Sequence, residues 1–173
     1  VLVEREAAKV RRAADELEKT NWNTAKKGQR LLNSGMTVSK EMLDSIRNSS
    51  DKLTDPGHKE SMESSFAVYD NIQSLMSMTR DERLEAINNT YSEDVSDLET
   101  ASLNQATRKA YKAIETAIAS DPHQAFLMYG GGEPMEKITK DNIAESLVTA
   151  QDNQVKVSAW IGEDAPPMSM SQF

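Results

Sequence analysis

The run SEDVSDLETASLNQATRKAYKAIETAIAS, residues 92–120, decides the fold of this chain. Most of its apolar side chains recur every three or four positions, which is the period of one face of an α-helix. These side chains are Val95, Leu98, Leu103, Ala106, Ala110, Ile114, Ala117 and Ile118. The alanines among them permit close approach of a neighbouring helix. We therefore expect a long helix from about Ser92 to Ser120, with Ile114 on its inner face.

Six further helices are predicted around this one, because apolar positions at helical spacing alternate with start and stop signals. Their approximate ranges are 3–33, 39–50, 55–76, 79–87, 121–129 and 139–161. No stretch alternates apolar and polar residues in the way that a strand requires. The fold class is therefore all-α, with six to seven helices in an elongated or irregular helical bundle and no sheet.

The expected helix boundaries depend on capping residues. Ser39, the Thr79 to Glu82 capping box and Thr139 predict helix starts, as do the Asp-Pro steps at Asp55 and Asp121. Gly35 and Gly162 predict left-handed stops. A break is expected near Asn88-Asn89-Thr90. The predicted inner positions include Met42 in the second helix and Ile143, Leu147, Ala150, Val157 and Ile161 in the last one.

Three ranges follow from these elements. Residues 1–34 form a long N-terminal helix, and its apolar positions from Val3 through Leu17 to Leu32 lie on one stripe. Residues 35–162 form a helical bundle, and residues 163–173 form a proline-containing tail. The tail is expected to be a rigid, extended linker that leads into a continuation of the chain.

Composition excludes several classes of function. A net charge of -8 argues against sequence-specific binding of nucleic acid, which depends on clustered Lys and Arg. The absence of cysteine excludes disulfides, thiol nucleophiles and cysteine-ligated zinc. No apolar run reaches the roughly 18 to 20 residues of a transmembrane segment.

The sequence predicts no catalytic, cofactor-binding or metal-binding residue. Pairs of acids, such as Glu60 with Glu63, are typical of solvated helix faces. His58 and His123 each follow a proline-based helix start and are expected to be exposed. The triple glycine at 130–132 lacks the Lys and Ser or Thr of a phosphate loop and is interpreted as a connector.

Three residues are candidates for partner contacts. Trp22 lies between Asn21 and Asn23, which compete for backbone hydrogen bonds, so a bend or a partner contact is expected there. Met168 and Met170 lie beside Pro166-Pro167 in the tail, where they could anchor a partner or the continuation of the chain.

The run YKAIETAIASDPHQAF, residues 111–126, resembles a pattern in very large tailed-phage virion proteins. These are internal, tail-associated or genome-ejection proteins, often joined to a lytic transglycosylase domain. Further similar features, in the same order, are a helix over 38–47, the step 79–83, Ala150-Gln151, Trp160-Ile161-Gly162 and Ala165-Pro166-Pro167. The likeness covers about residues 35 to 173. It implies a helical, non-catalytic segment that packs with copies of itself or with other virion proteins.

The transglycosylases of that group use a Glu followed by Ser and Gly. Here Glu60, Glu63 and Glu145 are each followed by Ser, but none is then followed by Gly. No catalytic residue can therefore be carried over from the resemblance.

Three hypotheses follow. The first is a non-enzymatic structural segment of a phage virion that acts through helix–helix assembly contacts. The second is a stand-alone helical adaptor or sensor that binds a protein through Trp22 or the Met168 tail, and the third, ranked last, is a peptidoglycan-cleaving enzyme. The first places the chain in the virion, and otherwise a soluble, cytoplasmic location is expected. The sequence leaves open the oligomeric state, the partners and the arrangement of the helices.

Overall fold

The computed structural model of this chain describes residues 2–92 and 97–168. Within those ranges the chain forms seven helices and no strand, so the predicted all-α class is confirmed. The helices are α1 (Leu2–Ser34), α2 (Lys40–Asp51), α3 (Pro56–Met76), α4 (Arg80–Ser92), α5 (Leu98–Ser120), α6 (Pro122–Tyr129) and α7 (Ile143–Ile161). None of these seven combines the length and the apolar character that crossing a membrane requires.

Most of the predicted caps hold. The Ser39 side chain accepts a hydrogen bond from the Met42 amide at 3.2 Å, and Asp121 accepts one from the Gln124 amide at 3.0 Å. The Thr79 amide donates to Glu82 at 2.8 Å, as in a capping box. Gly35 and Gly162 have φ angles of 72° and 74°, the left-handed conformation that ends a helix.

Two predicted boundaries near the long helix are wrong. The expected break at residues 88–90 does not occur, because α4 continues to Ser92 and the Thr90 hydroxyl donates to the Ile87 carbonyl within the helix. The long helix begins at Leu98 rather than near Ser92, with Asp97 as its N-cap. Asp97 accepts from the amides of Glu99 and Thr100, which satisfies the free donors of the first turn. Val95, predicted to be an inner residue, lies outside the described residues.

The predicted cap of the last helix is also wrong. Helix α7 begins at Ile143, and Asn142 rather than Thr139 is its N-cap. The Thr139 amide donates to the Asn142 side chain at 2.7 Å, so Thr139 opens a turn that precedes the helix. Thr139 and Asn142 are both residue types that favour the N-cap position, and the helix begins after Asn142.

The chain divides into two compact units. Unit 1 comprises Val1–Ser34 and Val38–Tyr69, and unit 2 comprises Gly35–Thr37 and Asp70–Phe173. The predicted N-terminal helix 1–34 is therefore grouped with α2 and the first part of α3. The remainder of the predicted bundle 35–162 is grouped with the tail.

Unit 1 has a core built from the second half of α1, from α2 and from α3. Its buried side chains are Ala25, Leu32, Ile46, Leu53, Met62 and Tyr69. The Val38 amide donates to the Tyr69 hydroxyl at 3.2 Å, which fixes the chain ahead of α2. Met42, predicted to face inward, is 47% exposed, because Ile46 is the α2 residue that packs against α1.

The contact between α1 and α2 depends on Gly28. A Cβ atom at this position would lie 2.7 Å from both Ile46 Cγ1 and Cγ2. Ile46 is β-branched and buried, so it has little freedom to move away. A glycine inside α1 is thus required by packing, although glycine is a poor helix former.

We expect Gly28→Ala to lower the melting temperature, although alanine normally stabilises a helix interior by about 1 kcal/mol relative to glycine. The physical reason is the overlap with Ile46, since overpacking costs about 1–3 kcal/mol. Thermal melts of Gly28→Ala in the wild-type and Ile46→Ala backgrounds test this. In the second background the two 2.7 Å overlaps are gone and only the 3.2 Å contact with the Cβ atom of residue 46 remains, so Gly28→Ala should lower the melting temperature less. Equal losses in the two backgrounds would contradict the proposed overlap.

Unit 2 is built from the end of α3 and from α4 to α7, with α5 packed on α6 and α6 on α7. Its buried apolar side chains include Ile72, Leu75, Met76, Ala110, Tyr111, Ile114, Ala125, Tyr129, Val157, Trp160 and Ile161. Ile143 and Leu147, predicted to face inward, are 51% and 56% exposed. The apolar residues of α7 that are buried belong to its C-terminal half, from Val157 to Ile161.

A charged side chain lies in the core of unit 2. Arg83 has no exposed surface and donates to the carbonyls of Met78 at 2.8 Å and Trp160 at 2.6 Å. Its guanidinium carbon lies 5.3 Å from the centre of the Trp160 ring. The Trp160 carbonyl belongs to the last turn of α7, where the negative end of the helix dipole favours a cation. Arg83 thereby links α4 to the end of α7.

Candidate functional site

The first half of α1 carries a row of exposed apolar side chains. Every side chain from Leu2 to Leu17 is exposed, and Val3, Val10 and Leu17 are exposed to 83%, 68% and 61%. Single exposed apolar residues are common, but a contiguous row of them marks an interaction surface.

These residues form a regular stripe. Val3, Ala7, Val10, Ala14 and Leu17, which we call the α1 stripe, are spaced by four, three, four and three positions. This is the heptad spacing of a coiled-coil seam, in which two positions in seven contact another helix. No other helix covers the α1 stripe within the described residues, and all five of its side chains face solvent.

The α1 stripe ends where α1 meets the rest of unit 1. The Asn21 side chain donates to the Lys52 carbonyl at 3.2 Å, and Trp22 stacks on His58 with ring centres 4.2 Å apart and planes 5° apart. Helix α1 continues through Asn21–Asn23, and Trp22 is half-buried within unit 1. Trp22, predicted to contact a partner, thus contacts His58 of its own chain.

Glu18 holds this junction together. Its carboxylate accepts hydrogen bonds from the Thr54 amide and hydroxyl, each at 2.7 Å, and from the Asp55 amide at 3.3 Å. It also contacts His58 Nδ1 at 2.8 Å, which is a hydrogen bond when that nitrogen carries the proton. One side chain of α1 therefore bonds both to the loop that precedes α3 and to the first turn of α3.

These contacts lower the pKa of the Glu18 carboxyl from 4.5 to about 2, with the hydrogen bond from His58 as the largest cause and those from Thr54 next. Donors that bond the ionised form favour it. A carboxylate with a depressed pKa stabilises the folded state above its unfolded pKa of 4.5, and this contribution disappears as the pH falls through about 2.

We therefore expect Glu18→Gln to melt at a lower temperature than the wild type at pH 6, because the amide cannot replace an ionised acceptor. The difference should shrink as the pH falls from 4.5 towards 2. Thermal melts across this range test the sign. Glu16→Gln, an exposed change on the same helix, is the matched control, and an equal pH profile for both variants would contradict this role of Glu18.

No protein-family model, curated protein or solved structure matches this chain. The resemblance to phage virion proteins therefore stays a prediction.

Met168, the second candidate for a partner contact, is half-buried against unit 2. It lines a small cavity together with His123, Phe126 and Val157. The preceding residues fold back on α7, since the Ala165 amide donates to the Ser158 hydroxyl at 2.9 Å and Gln154 donates to the Ala165 carbonyl at 3.0 Å. Residues of the predicted rigid, extended linker thus pack on their own unit. Met170 lies outside the described residues.

The two histidines are less exposed than predicted. His123 is buried, and its Nε2 atom lies 2.6 Å from the Pro166 carbonyl oxygen. The side chain of His58 is 31% exposed and is held by Trp22 and Glu18. Both positions follow a helix start in sequence, and long-range contacts with α1 or with the tail cover them.

The three glutamates considered for glycan cleavage are exposed. Glu60 and Glu63 lie on α3 in unit 1, and Glu145 lies in the first turn of α7 in unit 2. Glu145 lines a polar cavity of about 470 Å³ beside the loop 131–136. Burial of the carboxyl group is one way in which proteins adapt a general acid to glycan cleavage, and none of these three glutamates is buried.

Metal and cofactor sites were not predicted. Over residues 2–92 and 97–168, no group of three His, Asp or Glu side chains is placed to hold a metal ion.

The buried Arg83 was not expected from the sequence. Its Nε atom has no hydrogen-bond partner within the described residues. In sequence it lies in the capping-box run 79–83, where an arginine is normally interpreted as exposed.

Proposed function

We propose that this chain is a structural component of a tailed-phage virion, of the internal or genome-ejection type, and that it assembles through helix–helix contacts of the α1 stripe. The single observation that supports this most directly is the exposure of the whole stripe, from Val3 at 83% to Leu17 at 61%. Apolar surface arranged as a coiled-coil seam is stabilised when a second helix covers it.

The virion setting is supported by the resemblance of residues 35–173 to internal and tail-associated phage proteins. The α1 stripe lies outside that range, so the two lines of support are independent. Copies of the same chain and other virion proteins are the proposed partners, and the proposed location is the virion. No catalytic residue or cofactor is part of the proposal.

Incorporation into phage particles tests this proposal. Particles are purified from cultures that express either the wild-type chain or Val10→Asp, and the chain is quantified in them by mass spectrometry. A carboxylate at the centre of the α1 stripe cannot be buried in an apolar seam without a large penalty, so we expect incorporation to be lost. Ala8→Asp is the matched control, because Ala8 is also exposed but lies on the opposite side of α1.

Absence of the wild-type chain from particles would exclude the virion role. Equal incorporation of Val10→Asp and the wild type would exclude the α1 stripe as the docking element. A chain absent from particles that still binds another protein through Val10 would favour the adaptor hypothesis instead.

A further inference from the structure

We infer that the α1 stripe binds the same stripe of a second copy of this chain, with the two helices antiparallel. The inference rests on the proposed function, because it names the partner of the same surface. Two features of residues 2–25 support it: the alternation of side-chain size and the space around the end of the stripe.

The sizes of the stripe residues alternate. Ala7 and Ala14 occupy one of the two seam positions of the heptad, while Val3, Val10 and Leu17 occupy the other. In a parallel, in-register pair each position meets itself, so alanine would face alanine and valine would face valine. In an antiparallel pair the two positions face each other, and every alanine meets a larger side chain. This arrangement fills the seam evenly.

The fold of unit 1 blocks the parallel arrangement. The face of α1 that carries the stripe continues to Asn21 and Ala25, where residues of the same chain cover it. The Lys52 carbonyl accepts a hydrogen bond from the Asn21 side chain, and Leu53 belongs to the same core cluster as Ala25. A parallel partner helix would run into the space that Lys52 and Leu53 fill. An antiparallel partner helix runs past Val3 instead, away from this core.

Distances between nitroxide labels test the arrangement. The chain contains no cysteine, so Arg5→Cys, Arg12→Cys and Lys19→Cys each give one label per copy. These three exposed sites are seven residues apart on the side of α1 opposite the stripe. Double electron–electron resonance of each labelled full-length chain, at concentrations on the order of 100 μM, measures the separation between the two copies.

Antiparallel helices give unequal separations at the three sites. From one label site to the next, seven residues along α1, the labels of the two copies move in opposite directions along the helix axis. The axial distance between the two labels therefore differs by about 20 Å between at least two of the three sites. A parallel, in-register pair gives the same separation at all three sites, and that result would overturn the inference. A monomeric chain, with no separation detected, would overturn it as well.

Val10→Asp in each labelled chain is expected to raise the dissociation constant of the pair at least a hundredfold, because it places two carboxylates in the seam. Ala8→Asp should leave the dissociation constant within about threefold of the wild type, since it changes the opposite side of the helix. Equal effects of the two substitutions would show that the stripe is not the contact surface.

The particle experiment separates this inference from the proposed function. A chain that remains monomeric, but whose incorporation into particles is lost in Val10→Asp, refutes self-pairing and leaves the virion role standing. A chain that pairs antiparallel, but whose Val10→Asp variant enters particles normally, refutes the docking role and leaves self-pairing standing.

Discussion

Replacement of Ile114 by aspartate should leave unit 2 unfolded. Ile114 is fully buried in the middle of α5, within the helix that the sequence predicted most directly. The substitution removes a buried aliphatic side chain, which alone costs about 2–5 kcal/mol. It also introduces a carboxyl group that must be desolvated without a partner, at a cost of several kcal/mol more. The sum is comparable to the whole stability of a typical domain, about 5–15 kcal/mol.

Circular dichroism and tryptophan fluorescence can measure this effect unit by unit. The chain has two tryptophans, of which Trp22 lies in unit 1 and Trp160 is buried in unit 2. In a Trp22→Phe background, Ile114→Asp should give the emission of a solvent-exposed indole at 25 °C. Ala113→Asp is the matched control, because it places the same group at the neighbouring exposed position. An unchanged melting curve for Ile114→Asp would show that this face of α5 is not in a core.

The second large effect is expected at Arg83. Arg83→Ala removes two hydrogen bonds to the carbonyls of Met78 and Trp160 and leaves a cavity where a fully buried side chain was. Hydrogen bonds from charged donors contribute about 1.5–3 kcal/mol each, so we expect a loss of roughly 3–5 kcal/mol in the free energy of unfolding. Arg83→Lys should recover only part of it, because one ammonium group does not reproduce a planar fork that reaches two acceptors.

Urea unfolding in the Trp22→Phe background, followed by Trp160 fluorescence, measures the Arg83 effect directly. Arg80→Ala is the control, since it removes an exposed arginine from the first turn of the same helix. If the two alanine variants unfolded at the same urea concentration, Arg83 would not link α4 to the end of α7.

The pKa of the neighbouring Tyr111 provides a second signal. Burial and, next, the hydrogen bond to Glu115 raise the pKa of Tyr111 to about 12, and Arg83 partly opposes this rise. Loss of Arg83 should therefore raise the Tyr111 pKa further in any variant that stays folded.

Features that depend on a few neighbouring residues were predictable from the sequence. The cap at Ser39, the capping box at Thr79 and Glu82, and the left-handed Gly35 and Gly162 are all set by local hydrogen bonds and backbone preference. The predicted N-cap at Thr139 was wrong because local preferences alone do not choose between two nearby N-cap residue types. Asn142, three residues later, is the N-cap of α7. The helical class follows from the apolar period, which also identified Ile114 as buried.

Features that depend on distant residues were not predictable. Periodicity identifies the face of a helix that is apolar, but it does not tell whether another part of the chain covers that face. The stripes of α1 and α7 look alike in sequence, yet Val10 and Leu147 are exposed while Val157 is buried. Likewise, His123 is covered by the tail through Pro166, 43 residues away. The buried Arg83 has no local signature, because its acceptor Trp160 is 77 residues away.

The exposure of the first half of α1 gives one helix two time scales. Residues around Ala25 and Leu32 are locked into the core of unit 1, so their amide hydrogens exchange with solvent only when that unit opens. The turns from Leu2 to Leu17 expose every side chain, and a helix held by its own hydrogen bonds alone opens and closes in about a microsecond. Deuterium should therefore enter α1 from its N-terminus and stop near Asn21. If the α1 stripe were covered by a partner helix, the amides between Leu2 and Asn21 would also be protected from exchange. The number of α1 amides that take up deuterium would then report the bound fraction of the protein.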